Sequence, residues 1–230
     1  VGNSVRTTVE QNIILRWVSE EDLPSLYLDL KSIDLADPGA GTIVDITACP
    51  GTDTCKLGIA SSRGLAAELR QMLSPKQIQL DKAVQDLRIK ISGCFNSCGQ
   101  HHIADLGFYG NSRTFKGYKV PHFQVVLGGK WMENAGSFGM AIGAVPSKNI
   151  PKVVIKLTEY YVDNRLNRDQ TFQTFYSNMN KADIKALYID LTEIPPYLEN
   201  ADFYTDWGDS RVFTLGDMGI GECAGEVVSL

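Results

Sequence analysis

The sequence predicts an α/β (α+β) fold, a mixed sheet with helices on its outer face. Three observations predict it. Asp86–Ser92 alternates strictly between polar and apolar, as a strand does; apolar residues before and after it recur at helical spacing; and paired cysteines stand where two predicted strands end.

Arg6 to Val18 alternates loosely and centres a first strand on Ile13-Ile14-Leu15. Ser19-Glu20-Glu21-Asp22 offers a helix start, because acidic side chains in a first turn meet the positive end of the helix dipole. That helix covers Leu23–Ile33 and stops before the breaker run Asp37-Pro38-Gly39-Ala40-Gly41. Thr42–Thr47 is β-branched and reads as a strand running into Cys49. After Cys55, Leu57, Leu65, Ala66, Leu69 and Leu73 keep helical spacing with Arg63, Glu68 and Arg70 on a wetter face, and Pro75 closes the helix. The half-buried strand Asp86–Ser92 then delivers Gly93-Cys94. Ile103–Tyr109 and Phe123–Leu127 read as further strands separated by a Gly/Asn/Ser/Lys loop, and Gly128-Gly129 marks a turn. Helices follow over Pro151–Arg165, with Pro at the first turn, and over Phe172–Met179 and Lys181–Leu187. From Pro195 the tail carries no periodic run and reads as an irregular extension.

The 230 residues are 43% hydrophobic and 21% charged, which suits a globular chain with a real core. A net charge of −5 gives no electrostatic footprint for nucleic acid. No apolar run approaches the roughly 18 residues a membrane span needs. Val1-Gly2-Asn3-Ser4-Val5-Arg6 has neither an initiator Met nor the apolar core of a signal peptide, which fits a piece of a larger or processed chain.

There are five cysteines: Cys49, Cys55, Cys94, Cys98 and Cys223. An odd count without an export signal points to thiols in the reducing cytoplasm rather than to disulfides. Four fall into two pairs, Cys49-Pro-Gly-Thr-Asp-Thr-Cys55 and Gly93-Cys94-Phe95-Asn96-Ser97-Cys98-Gly99. Two pairs on separate loops suit a [4Fe-4S] cube, which takes one thiolate per iron from several directions. Gly51, Gly93 and Gly99 would let backbone N–H groups approach the cluster, and Cys55 falls at a predicted helix start that would favour its thiolate. Spacing alone leaves structural zinc open, although its pairs commonly lie closer than the first gap here, and it leaves buried, unrelated thiols open too.

The words around the cysteines resemble those of the siroheme-dependent sulfite and nitrite reductases. The resembling segments are Thr47–Leu57 with its C-x5-C, Gly93–Gln100 with its C-x3-C, Ile103–Phe108, and Arg6-Thr7-Thr8-Val9-Glu10-Gln11-Asn12, similar to that family's R-x-T-x-x-Q-N. The resemblance covers about Val5 to Met179. It implies cluster ligation by Cys49, Cys55, Cys94 and Cys98, with Cys98 also bridging to the siroheme iron and so acting as the catalytic thiolate. It implies cofactor contacts from Arg6, Thr8, Gln11, Asn12 and Asn96, Arg being suited to tetrapyrrole carboxylates. Three units are implied: residues 1–40 as a partial ferredoxin-like unit, 41–195 as the [4Fe-4S]/siroheme domain, and 196–230 as an extension.

The implied function is the cluster-bearing, C-terminal part of a six-electron reductase taking sulfite to sulfide or nitrite to ammonia, with ferredoxin or a flavoprotein as electron donor. The implied N-terminal half, which would supply the basic substrate site, is missing, so these residues alone are expected to be inactive. Phe95 stands where the family has Pro, removing a fixed φ from the ligand loop and adding an apolar shield. Rival readings are a [4Fe-4S] electron carrier without siroheme and a zinc-stabilised interaction domain. Of the smaller signals, His101-His102 invites a metal or proton-donor role but reads first as a strand pair with one ring packed and one solvated, His122 as structural, and Cys223 as a free thiol before a redox one. Trp131 and Trp207 read as core or interface aromatics, and Lys56, Arg63 and Arg113 either as solvated surface or as aids to tetrapyrrole carboxylates.

Overall fold

In a computed structural model, residues 5–132 and 136–216 are described. A hairpin of β1 (Val5–Thr7) and β2 (Ile13–Leu15) opens the chain and is followed by α1 (Leu23–Ser32). Neither strand nor helix buries a residue. The main sheet has five strands in the order β3 (Thr47–Ala48), β4 (Ile89–Ser92), β5 (Leu106–Phe115), β6 (Tyr118–Leu127) and β7 (Met140–Pro146). β3, β4 and β5 run parallel and the last two pairings are antiparallel, so the sheet is mixed.

The helices are α2 (Ser62–Leu73), the short α3 (Lys82–Gln85), α4 (Ile150–Asn164), α5 (Phe172–Ser177) and α6 (Lys181–Ala186). Leu65, Leu69 and Leu73 of α2 and Val153, Val154 and Leu157 of α4 share one buried cluster with Ile89, Ile91, Leu106, Phe108, Val125 and Leu127 of the sheet. Because side chains alternate along a strand, Lys90, Ser92, Gly107 and Tyr109 fall on the opposite face. That face carries the polar residues around the second cysteine pair.

Several elements differ from the sequence expectations: β7 was not anticipated, Asp86–Arg88 precedes β4 rather than joining it, and elsewhere another contact claims the backbone. Thr42–Thr47 is a strand only at Thr47–Ala48; before it Asp45 N–H bonds the Thr42 carbonyl in a turn, and the Asp45 carboxylate accepts from Gly41 N–H at 2.8 Å. The helix after Cys55 begins at Ser62, because Ile59 and Ala60 donate their N–H groups to the Gly93 carbonyl at 2.8 and 3.0 Å. Ser61 caps it, accepting from Gly64 N–H at 3.2 Å. Cys55 therefore precedes the helix and receives no dipole from it. The polar stretch after Tyr109 is strand rather than loop, a long hairpin turning at Lys116-Gly117 in positive φ. Finally, β4 is buried on both faces, as a central parallel strand is.

The stretch after Pro195 has no long element, yet Tyr204, Asp206 and Phe213 are buried. Asp206 accepts from Ser61 N–H at 2.7 Å and Trp207 N–H at 2.8 Å, at the start of α2, where the dipole favours an anion. Cys223 lies outside the described residues.

His122, buried on β6, donates its Nδ1–H to the Val120 carbonyl at 3.0 Å, and desolvation holds its pKa down at about 4. A neutral buried imidazole contributes stability that is present above pH 6.5 and is lost as the unfolded chain takes the proton, between pH 6.5 and about 4. Burial pushes Asp105 up to about 6, which acts in the opposite direction between pH 3.8 and 6, so the whole-chain profile mixes the two. In urea unfolding across this range, wild type should lose up to about 3 kcal/mol more than His122→Gln on acidification. Parallel profiles would contradict the assignment.

Candidate functional site

The cysteine loops meet because their backbones touch. Gly93 has no side chain between it and Gly51: a Cβ on Gly93 would lie 2.5 Å from the Gly51 Cα. Gly51 itself sits at φ 57°, which glycine adopts without strain, and a Cβ there would lie 2.3 Å from Ser62 Oγ. Strand β3 ends at Ala48 and β4 at Ser92, adjacent parallel strands, so both loops leave the same sheet edge.

Cys49, Cys55, Cys94 and Cys98 line one cavity of about 110 Å³, together with Pro50, Gly51, Gly58, Gly93 and Asn96. Cys49 and Cys94 are buried, Cys55 is half-buried and Cys98 is exposed. Gly93 N–H points at Cys49 Sγ from 3.1 Å and Leu57 N–H at Cys55 Sγ from 3.4 Å, while Ser62 Oγ lies 3.5 Å from Cys49 Sγ. Such donors stabilise thiolate and sulfide charge. Burial pushes the Cys94 thiol up, and the three neighbouring cysteines push it the same way. A cation in the cavity would reverse that, since four thiolates this close otherwise repel.

A single zinc ion would draw its ligands to a common point at about 2.3 Å. Among the described residues, no three His, Cys, Asp or Glu side chains are arranged to hold one metal ion. Four thiols lining one cavity offer one ligand to each iron of a [4Fe-4S] cluster.

The other residues named from the sequence occupy distinct places. Gln11 lies at the hairpin tip at φ 66°, and its amide clasps Ala48: Nε2 donates to the Ala48 carbonyl at 2.8 Å and Oε1 accepts from Ala48 N–H at 3.1 Å. Asn12 Nδ2 donates to both Asp45 carboxylate oxygens at 2.9 and 2.8 Å. Thr8 Oγ1 accepts from Glu10 and Asn12 N–H and shapes the tip. Arg6 is exposed on β1, its guanidinium on its own Val5 carbonyl. Asn96 is exposed at the cavity wall. Thus Gln11 and Asn12 meet the first cysteine strand, whereas Arg6 stands apart from the cavity.

His101-His102 is a turn of 3₁₀ helix, not strand. His101 is buried against Tyr109 and bonds Ser92 Oγ at 2.9 Å, while half-buried His102 meets Ser97 Oγ through Nδ1. Lys90, which the sequence reading passed over, is buried on β4 and reaches Gln100 Oε1 at 3.2 Å beneath the second loop. The alternating run did not set it apart, since Asp86, Arg88 and Ser92 occupy the same polar positions. Arg63 pairs with Asp53 at 3.6 Å on the surface, and Arg113 is exposed. Trp131 stacks under the Arg88 guanidinium.

Residues 39–173 match the family described as nitrite and sulphite reductase 4Fe-4S domain. The chain belongs to that family. Its relatives include a ferredoxin–nitrite reductase of Synechococcus elongatus, 30% identical over 66% of this chain and 29% of that protein. A sulfite reductase [ferredoxin] of Mycolicibacterium paratuberculosis is 28% identical over 80% and 34% respectively. The chain thus spans about a third of the length of these curated relatives. Among solved structures, the Mycobacterium tuberculosis NirA protein superposes with a TM-score of 0.66 at 27% identity, over 78% of this chain and 33% of that one. Dissimilatory sulfite reductase I, at 12% identity and a TM-score of 0.57, shares the fold. No described helix is long and apolar enough to cross a membrane.

The Gly93 contact gives a direct test. Gly93→Ala must push backbone against backbone, so urea unfolding of the apo chain should show a loss of about 1–3 kcal/mol. A change below about 0.5 kcal/mol, as for a neutral surface substitution, would contradict the packing.

Proposed function

We propose that this chain is the cluster-bearing part of a sulfite or nitrite reductase, in which Cys49, Cys55, Cys94 and Cys98 hold a [4Fe-4S] cluster. The observation that carries the reading is the single cavity lined by all four cysteines, two from each loop. Cys98 is the exposed member of the set, the one whose sulfur could be shared with a second metal centre. On this reading Cys98 would help to hold siroheme as well as the cluster, and the bound groups would supply electron storage and the metal where sulfite or nitrite is reduced. The residues of this chain orient that centre: Gly93 N–H and Ser62 Oγ face Cys49, and Leu57 N–H faces Cys55.

Residues 5–35 support a missing partner half. Val9, Ile13, Trp17, Leu23, Tyr27, Leu28, Ile33 and Leu35 all stand more than half exposed in this one short unit. So much apolar surface on a hairpin and helix calls for a covering element. We assign that role to the N-terminal half of the same reductase, which would also bring the basic residues for an anionic substrate. Relatives named ferredoxin–nitrite reductase and sulfite reductase [ferredoxin] favour ferredoxin as electron donor. The cytoplasm is the compartment consistent with free thiols.

Anaerobic reconstitution with iron, sulfide and siroheme tests the reading. The wild-type chain should gain the visible absorption of an iron–sulfur cluster, and Ser at any one of the four cysteines should diminish it. Tetrapyrrole bands should be lost from the Cys98→Ser variant in particular. A chain that stays colourless while binding one zinc per molecule would overturn the reading. Reduction of sulfite or nitrite by the 230 residues alone should stay at background.

A further inference from the structure

Cys98 sits on a loop whose shape is not one the backbone prefers. Ser97, immediately before it, has φ 61°, and Gln100, two residues after it, has φ 60°. Non-glycine residues adopt this left-handed region only when surrounding contacts hold them there. The loop also lacks a ring-locked φ, since Phe95 occupies its second position and is 70% exposed. Something else must fix it.

Among the contacts that do so, one reaches Ser97 from a side chain beyond the loop. Nδ1 of His102 meets Ser97 Oγ. The same imidazole packs edge-on against Phe138, centroids 4.3 Å apart, and the His102 carbonyl accepts from Gly139 N–H at 2.7 Å. His102 is thereby fastened to the connection between β6 and β7 on one side and to the cysteine loop on the other. The rest of the loop closes on itself and on β4: Gln100 N–H bonds the Ser97 carbonyl at 2.8 Å, and Gly99 N–H bonds Ser92 Oγ at 3.1 Å.

We propose that His102 is a positioning residue for the metal centre, its contact with Ser97 acting as a latch that fixes the direction in which Cys98 presents its sulfur. This rests on the reading of Cys98 as a cluster ligand. It assigns a function to a histidine that touches none of the four cysteines. Outer contacts of this kind tune ligands by restricting their orientation, and their removal loosens metal binding without removing a ligand.

The test uses the full chain, reconstituted anaerobically, and follows loss of cluster absorption after an iron chelator is added. His102→Ala and Ser97→Ala should each lose the cluster roughly 10- to 100-fold faster than wild type. Their effects should not add in the double variant, because one contact serves both. His102→Asn, whose amide can donate to or accept from Ser97 Oγ, should return the rate toward wild type. Ser97→Gly, which takes positive φ freely, should be milder than Ser97→Ala. Thermal melting of each apo chain reports folding separately. The proposal is overturned if His102→Ala loses cluster at the wild-type rate, if the two alanine effects add, or if melting falls while the chelation rate does not change. Failure of the wild-type chain to take up any cluster overturns the cluster reading itself, and the latch with it.

Discussion

The close approach of backbone at Gly93 is the constraint on which the cysteine site depends. Its N–H faces Cys49 Sγ, its carbonyl accepts from both Ile59 and Ala60, and its bare Cα lies against Gly51. Gly110 of β5 also lies against that carbonyl, where a Cβ would come within 2.0 Å. One residue thus joins the first cysteine loop, the second cysteine loop, the approach to α2 and the central sheet. Any side chain there would separate the two cysteine pairs, since backbone cannot yield as a flexible side chain can.

Around this contact the chain has built a series of polar fastenings. The Gln11 amide pairs with Ala48 as a neighbouring strand would, on the free edge of β3 one residue before Cys49. Asn12 and Gly41 satisfy the buried Asp45 carboxylate. From the other end of the chain, Asp206 seats on Ser61 and Trp207 packs over Gly64, so the start of α2 is held by residues some 145 positions away in sequence. A buried carboxylate without donors costs several kcal/mol, and each of these has two or more. The site is consequently held from both termini as well as from the sheet.

Elements were legible in the sequence where local periodicity decides structure, as over Ile89–Ser92, Ile150–Asn164 and Leu23–Ser32, whereas edge strand β7 was not. The cysteine pairs were legible as a unit from their spacing and surrounding words. What was not legible follows from long-range contacts. Residues 57–60 have helical spacing but serve the Gly93 carbonyl, and the polar run after Tyr109 pairs with β6 because β6 supplies a ladder for it. The turn of His101 was hidden by its neighbours' strand-like composition, and nothing local announces that His102 reaches back to Ser97. Gln11 and Asn12 stood out by resemblance, but their clasp on Ala48 and Asp45 needed the hairpin to be seen folded over β3.

Native mass spectrometry of the anaerobically reconstituted chain measures the central claim most directly, because it counts the atoms held between the two loops. The account predicts a mass increase of four irons and four sulfides per chain, released together. An increase of a single metal ion, or two ions bound independently, would contradict it.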